Sequence, residues 1–153
     1  MIIDIKKLKQ SGRDEISFRF ETEPDDAIIT LPDAAFSSPV SVTGTLTIGG
    51  NAVFVEGEIE YSITGQCSRC LESVVFHNIV AFDEEFSDDP DSDPEVYPFS
   101  KGLVDLTGMV NEKIVLSIPV AIYCRDDCKG LCPVCGANLN KTQCNCKTDI
   151  SEV

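Results

Sequence analysis

The segment Cys128-Lys-Gly-Leu-Cys132-Pro-Val-Cys135-Gly-Ala-Asn-Leu-Asn-Lys-Thr-Gln-Cys144-Asn-Cys146 holds five of the chain's eight cysteines in nineteen residues. So dense a run can be a set of disulfides, a redox pair or a metal cage, and the compartment decides among them. The first nine residues are short, mixed and charged, without the apolar core of a signal peptide. No apolar run approaches the ~18 residues that a membrane span needs. The sequence is therefore read as intracellular, without a membrane partner. In a reducing compartment eight cysteines point to metal rather than to disulfides.

Cys132-Pro-Val-Cys135-Gly136 has the form of a zinc knuckle. Two thiolates separated by two residues grip one tetrahedral ion while backbone N–H groups between them bond the sulfurs. Gly136 supplies the positive φ that such a turn often needs. Cys144 and Cys146 follow after a loop long enough to bring a second pair around. A zinc site at Cys132, Cys135, Cys144 and Cys146 is the simplest closure, although Cys128 could replace one member of the Cys144/Cys146 pair. Cys67, Cys70, Cys124 and Cys128 form a possible second four-cysteine site, if the chain returns beside Cys67 and Cys70. The plainer alternative for Cys67 and Cys70 is a pair of buried thiols. A thioredoxin-like role is weaker, because that motif wants a helix after its CxxC, and Leu71-Glu-Ser-Val-Val-Phe76 is strand-like. Four thiolates also suit a rubredoxin-like iron centre.

The net charge of −14 argues against broad, nonspecific binding to nucleic acid. Some of the twelve cations are nevertheless clustered. Lys6, Lys7, Lys9 and Arg13 lie near the start, and Arg125, Lys129, Lys141 and Lys147 lie among the late cysteines. A local basic face and an ordinary solvated surface are both compatible with that.

Hydrophobic residues make up 42% of the 153, enough for one domain with a small appended module. Residues 16–20 and 40–48 alternate apolar and polar, as half-buried strands do. Gly49-Gly50-Asn51 reads as a tight turn, residues 52–65 resume strand character, Cys67–Cys70 makes a second turn, and residues 71–82 form another β-rich run. Three consecutive antiparallel strands make a meander. Eight carboxylates then crowd residues 83–95 with Pro90 and Pro94 and no cation, a block expected to stay loose. Phe82 and Phe86 flank its first charges and are candidate partner anchors. Asp105 is a candidate N-cap for a helix running to about Ser117, stopped by Pro119. The expected fold is mainly β within the α+β class: an antiparallel curled sheet or partial barrel, one main helix, and a small C-terminal Cys-rich zinc module. Residues 1–123 would form the β-rich domain, with the acidic loop at 83–95 and the helix at about 105–117. Residues 124–153 would form the zinc-binding tail.

Cys67-x-Arg-Cys70-Leu, the helix ending in Leu-Ser-Ile-Pro119, and the segment Cys128 to Asn140 together resemble the YceD family of large ribosomal RNA subunit accumulation proteins. The likeness spans roughly residues 40–146 and is most specific in its last segment; the first forty residues carry little of the pattern. The resemblance implies a cytoplasmic bacterial or plastid protein that supports accumulation of 23S rRNA and has no catalytic activity. Some relatives lack the late cysteines, so the family's role need not require the zinc module. The partners it implies are a pre-50S particle and 23S rRNA. On such a particle the acidic block would face away from RNA or meet a basic ribosomal protein.

Little in the sequence favours an enzyme. His77 is the lone histidine, no Ser-His-Asp constellation can be assembled, and no glycine-rich phosphate loop appears. A closed all-cysteine zinc site is structural, whereas a catalytic one keeps an open position. No small-molecule substrate is expected. The alternatives to a ribosomal factor are a zinc-stabilised protein-interaction module and a redox-sensing zinc switch.

Overall fold

The computed structural model describes residues 1–146. In chain order the elements are β1 (Ile2–Asp4), α1 (Ile5–Gln10), β2 (Glu15–Thr22), β3 (Ala35–Phe36), β4 (Val40–Gly49), β5 (Ala52–Gln66), β6 (Ser73–Ser87), β7 (Tyr97–Pro98), β8 (Leu103–Asp105) and α2 (Thr107–Ser117). The main sheet runs β2-β4-β5-β6-β7, with β3 pairing β5 beyond the end of β4, and the path does not close. This is the expected mainly β architecture in its open, curled form. The turn at Gly50-Asn51 joins β4 to β5, and Gly50 takes a φ of +64° that only glycine adopts freely.

Period-2 alternation places one face of every long strand in the core. Val42 and Leu46 of β4, Val55, Ile59, Tyr61 and Ile63 of β5, and Phe82 and Phe86 of β6 are buried there. Met109, Val110 and Ile114 of α2 close over them. Fully burying one such side chain stabilises the fold by roughly 1.5–3 kcal/mol. The helix is also positioned by a polar relay. Ser117 Oγ donates to Ile114 O at 2.9 Å, so at 2.8 Å it must accept from Tyr61 OH, which in turn accepts from Asn78 Nδ2 at 3.1 Å. The hydroxyl of the buried Tyr61 is thereby satisfied.

The strands approach most closely at one cross-strand row. Phe18, Gly44, Gly57 and Phe82 are consecutive partners across β2, β4, β5 and β6. A Cβ on Gly44 would come within 2.2 Å of Glu56 O, and one on Gly57 within 2.1 Å of Thr43 O. The two backbones approach too closely for any side chain, and the Phe18 and Phe82 rings cover the bare glycines.

Three expectations need correction. The acidic block does not stay loose throughout, because β6 continues to Ser87 and takes in Asp83, Glu84 and Glu85. The alternation explains this: Asp83 and Glu85 point to solvent, and the half-buried Glu84 pairs with Lys113 of α2. Phe82 and Phe86 are core residues rather than partner anchors; Phe86 is 1% exposed and stacks on Tyr97 at 5.2 Å. Residues 88–95 do form turns, held in part by Asp89 and Asp93 carboxylates accepting from the N–H groups of Asp91 and Glu95. Asp105 ends β8 instead of serving as the N-cap, which is Leu106. Its Oδ1 nevertheless accepts from Thr107 N at 2.9 Å and from Thr107 Oγ1 at 2.6 Å. The helix does stop where Pro119 requires, with Ile118 extended before it.

The N-terminal residues, which carry little pattern, are ordered by tertiary pairing. β1 pairs antiparallel with β8, and Asp4 caps α1 by accepting from Lys6 N. Ile3, Ile5 and Leu8 then enter the core.

The substitution Gly57→Ala is expected to lower stability by about 2 kcal/mol, because its Cβ cannot be accommodated without moving backbone. A shift of the urea midpoint to lower concentration at unchanged slope would show it; an unchanged midpoint would mean that the strands part at no cost.

Candidate metal centres

The first cluster is built on the turn between β5 and β6. Leu71 N donates to Cys67 O at 2.9 Å, and Cys67 N donates to Glu72 O at 2.8 Å. The segment around Cys132 repeats both bonds at the same offsets: Gly136 N to Cys132 O at 2.8 Å and Cys132 N to Ala137 O at 2.8 Å. The residue after the second cysteine is left-handed in each, with φ of +61° at Leu71 and +73° at Gly136. Cys67-Ser-Arg-Cys70-Leu71 and Cys132-Pro-Val-Cys135-Gly136 are therefore the same knuckle. Only the second shows its glycine in the sequence.

Cys124 and Cys128 reach the first knuckle because the chain turns back after α2. Buried Ile122 packs where Gly65 leaves room, and its carbonyl accepts from Ser68 N at 2.8 Å. Arg69, inside the knuckle, fastens the returning segment. Its Nη1 donates to Asp126 O at 3.1 Å and to Cys128 O at 3.3 Å, and its guanidinium lies 4.7 Å from the Tyr123 ring centroid. Its own carbonyl accepts from Leu131 N at 3.0 Å. The sequence marks Arg69 as part of the Cys67-x-Arg-Cys70-Leu motif, but what the side chain holds is visible only in the fold.

The outcome is two groups of four thiols: Cys67, Cys70, Cys124 and Cys128, and Cys132, Cys135, Cys144 and Cys146, the sulfurs of each lying within 4.8 Å of one another. Cys67 and Cys128 sulfurs are 3.8 Å apart, and those of Cys70 and Cys124 3.6 Å. A tetrahedron with sulfurs about 2.3 Å from a central zinc has edges of about 3.8 Å, which these two separations match. All eight cysteines are free thiols. Cys128 belongs with the first group, so the option of its replacing Cys144 or Cys146 is not the arrangement adopted.

Electrostatics divides each group. Burial pushes the Cys67 thiol up, but donation from backbone N–H groups, that of Arg69 foremost, outweighs it and brings Cys67 down to about 6. The backbone N–H groups of Cys135 and Val134 lower Cys132 to about 6. Burial raises Cys124 to about 12, and the hydrogen bond with Cys135 raises Cys146 to about 12. In each group one thiolate forms readily while another resists, because desolvation and the neighbouring thiols together disfavour a further negative charge. A divalent cation at the centre removes that conflict.

The cations are spread differently. Lys141 pairs with Glu72, and Arg125 with Asp127. Lys147 lies outside the described residues. Structure also assembles a group that sequence could not: Ser62 Oγ is 3.0 Å from His77 Nδ1, and Glu60 Oε1 is 3.5 Å from His77 Nε2. The three sit on the solvent face of β5 and β6, with His77 half-exposed. That open setting lacks the water exclusion a nucleophile of this kind works in, and the group reads as a surface network.

A mainly β chain with one knuckle on a strand–strand turn, a second in its tail, and four thiols gathered at each describes a distinct class of small cysteine-cluster protein. The chain belongs to the family described as "Large ribosomal RNA subunit accumulation protein YceD", whose model matches residues 55–152. An uncharacterised protein of Mycobacterium tuberculosis is 30% identical over 93 residues, covering 57% of this chain and 45% of that protein. The chloroplastic "Large ribosomal RNA subunit accumulation protein YCED homolog 1" of Arabidopsis thaliana is 26% identical over 148 residues, 76% of this chain and 46% of its own. The uncharacterised protein YlbN of Bacillus subtilis is 28% identical over 127 residues, 80% of this chain and 73% of its own. The chain spans about half the length of the mycobacterial and plant relatives. No solved structure matches it.

Leu71 is 59% exposed, so its side chain gains little from burial while its backbone carries the cost of the left-handed region. That cost is about 1–2 kcal/mol for an L-residue with a Cβ. Leu71→Gly is therefore expected to raise the thermal midpoint. A fall would show that the leucine side chain contributes packing that outweighs its strain.

Proposed function

We propose that this protein is a non-enzymatic factor in large ribosomal subunit biogenesis that supports accumulation or stability of 23S rRNA, with zinc as a structural cofactor. The observation that carries this reading is family membership over residues 55–152, a span that contains all eight cysteines. Zinc is held first at Cys132, Cys135, Cys144 and Cys146, and second at Cys67, Cys70, Cys124 and Cys128. All-thiolate sets favour zinc, and when complete they leave no open position for catalysis. The protein works in the cytoplasm on pre-50S particles; among its described residues no helix is long and apolar enough to cross a membrane. Residues 1–123 act as the β domain, and residues 124–153 as the tail.

Charge supports two kinds of contact on such a particle. Exposed Glu56, Glu58, Glu60, Asp83 and Glu85 share the solvent face of the sheet, a surface suited to a basic ribosomal protein. Cations with no carboxylate within 4.0 Å, among the described residues, include Lys6, Lys9 and Arg13 around α1, a surface suited to rRNA phosphates. Phosphate contacts would make association salt-dependent.

Tagged protein is expected to co-sediment with precursor large-subunit particles at low salt and to leave them as salt rises. Its depletion is expected to lower the ratio of 23S to 16S rRNA. Absence from ribosomal fractions together with an unchanged ratio would rule the reading out and favour an interaction module unrelated to ribosomes.

Protein purified without chelator is expected to carry two zinc ions per chain by elemental analysis, and to be colourless where an iron centre would be red. Structural zinc contributes ~10–16 kcal/mol of apparent binding energy in small modules at neutral pH. Between residues 128 and 146 the large apolar side chains are few, chiefly Leu131, Val134 and Leu139. Cys135→Ser is therefore expected to unfold the tail and leave the β domain folded. Unchanged amide dispersion of residues 128–146 in an NMR spectrum of that variant would contradict it.

A further inference from the structure

The two clusters are joined by more than the chain between Cys128 and Cys132. Residues 129–131 are bonded on both sides. Leu131 N donates to Arg69 O at 3.0 Å, which ties the segment to the first knuckle. The loop that leads from the second knuckle toward Cys144 and Cys146 folds back along its other side. Leu131 and Asn138 form an antiparallel bridge, and Leu139 N donates to Gly130 O at 2.9 Å. The loop thereby delivers Asn140 to the first cluster, where its Nδ2 is 3.3 Å from Cys128 Sγ. Two further bonds hold the amide in that orientation. Asn140 Oδ1 accepts from Lys129 N at 2.8 Å, and Nδ2 also donates to Asn138 Oδ1 at 3.0 Å.

Asn140 thus sits in the sequence between the ligands of one cluster and donates to a sulfur of the other. We propose that the two clusters bind metal cooperatively, and that Asn140 is the positioning residue through which filling of the Cys132, Cys135, Cys144 and Cys146 cluster strengthens the Cys67, Cys70, Cys124 and Cys128 cluster. This rests on the reading that both clusters hold an ion. The physical chain is short. The 136–143 loop has little apolar packing of its own, and an ion shared by Cys144 and Cys146 with Cys132 and Cys135 fastens the closed form that its hydrogen bonds begin. A closed loop places the Asn140 amide against Cys128, and an N–H donated to a thiolate is a charge-assisted bond, stronger than a neutral one. Partners of this kind beyond the ligands themselves are worth 10–100-fold in metal affinity. Because coupling between two sites is reciprocal, filling the first cluster must favour the second by the same factor.

The test uses the reduced 153-residue chain and Co2+, whose thiolate charge-transfer and visible bands report tetrahedral thiolate sites, with Zn2+ competition for affinity. Five chains are compared: the parent, Asn140→Ala, Asn140→Asp, Cys144→Ser/Cys146→Ser, and the combination of Asn140→Ala with the two serine substitutions. Circular dichroism confirms that the β-sheet is retained in each. The parent is expected to fill both sites in one steep transition. Asn140→Ala and Cys144→Ser/Cys146→Ser are each expected to weaken the first cluster about tenfold or more. Combining them is expected to add little, because Asn140 acts only when its loop is closed. Asn140→Asp, which keeps the side-chain shape but removes the N–H donor, is expected to weaken the first cluster at least as much as alanine does. The inference is overturned if Asn140→Ala leaves the first cluster's affinity unchanged. It is also overturned if the loss is undiminished in the combined variant, which would make Asn140 a purely local prop. A parent chain that develops no cobalt bands would instead remove the metal reading itself.

Discussion

Fifteen consecutive residue pairs between β5 and β6 are the constraint on which the remaining structure depends. Side chains alternate along a strand with a period of two, so a slip of one residue would turn every core residue of β6 outward. The pairing sets Ile59, Tyr61 and Ile63 beside Val80, Asn78 and Phe76 on one face, under α2. It sets Glu56, Glu58 and Glu60 beside Asp83, Ala81 and Ile79 on the other. It also closes the Cys67–Cys70 turn at one end of the hairpin. A single register therefore fixes the core, the acidic face and the first knuckle together.

The acidic face has a cost. Glu56 and Asp83 stand directly opposite one another, an arrangement of like charges that destabilises an antiparallel pair. A fold that tolerates it draws its stability from the buried side of the same strands. On the proposed reading the exposed carboxylates meet a cationic partner on the ribosomal precursor, and the repulsion is relieved there. The same logic applies to the thiols: four sulfurs within 4.8 Å cannot all ionise unless a cation lies among them.

The thiol clusters add a second kind of order. The tail after Ile122 buries little apolar surface, and its turns are held by hydrogen bonds around the two knuckles. Arg69 and Asn140 work in opposite directions across this region. Arg69 reaches out from the sheet to hold the tail, and Asn140 reaches back from the tail to Cys128. The tail is thus an extension of the β5–β6 turn, and the proposed boundary near residue 123 marks a change from apolar packing to thiol clusters.

Much of this was legible in the sequence, for local reasons. Strand alternation, the Gly50-Asn51 turn, the stop before Pro119 and the Cys-Pro-Val-Cys-Gly spacing each follow from preferences a few residues long, and each is present. The gathering of Cys67 and Cys70 with Cys124 and Cys128 was legible only as a possibility, because more than fifty residues separate the pairs and loop closure carries no local signal. The N-terminal elements escaped notice because Ile3, Ile5 and Leu8 acquire their meaning only against β8 and the core. Asp83 to Glu85 read as a repelling block because a charge run looks alike in a loop and on the edge of a core, and only the reach of β5 shows that the strand continues. By itself the sequence determined the long central strands, the turns between them and the two knuckle-spaced pairs Cys67/Cys70 and Cys132/Cys135, since these depend on neighbours along the chain. Tertiary structure alone decided which pairs meet, that Leu71 stands where a glycine would, and that Asn140 serves a cluster other than its own, since these depend on contacts that only the closed chain creates.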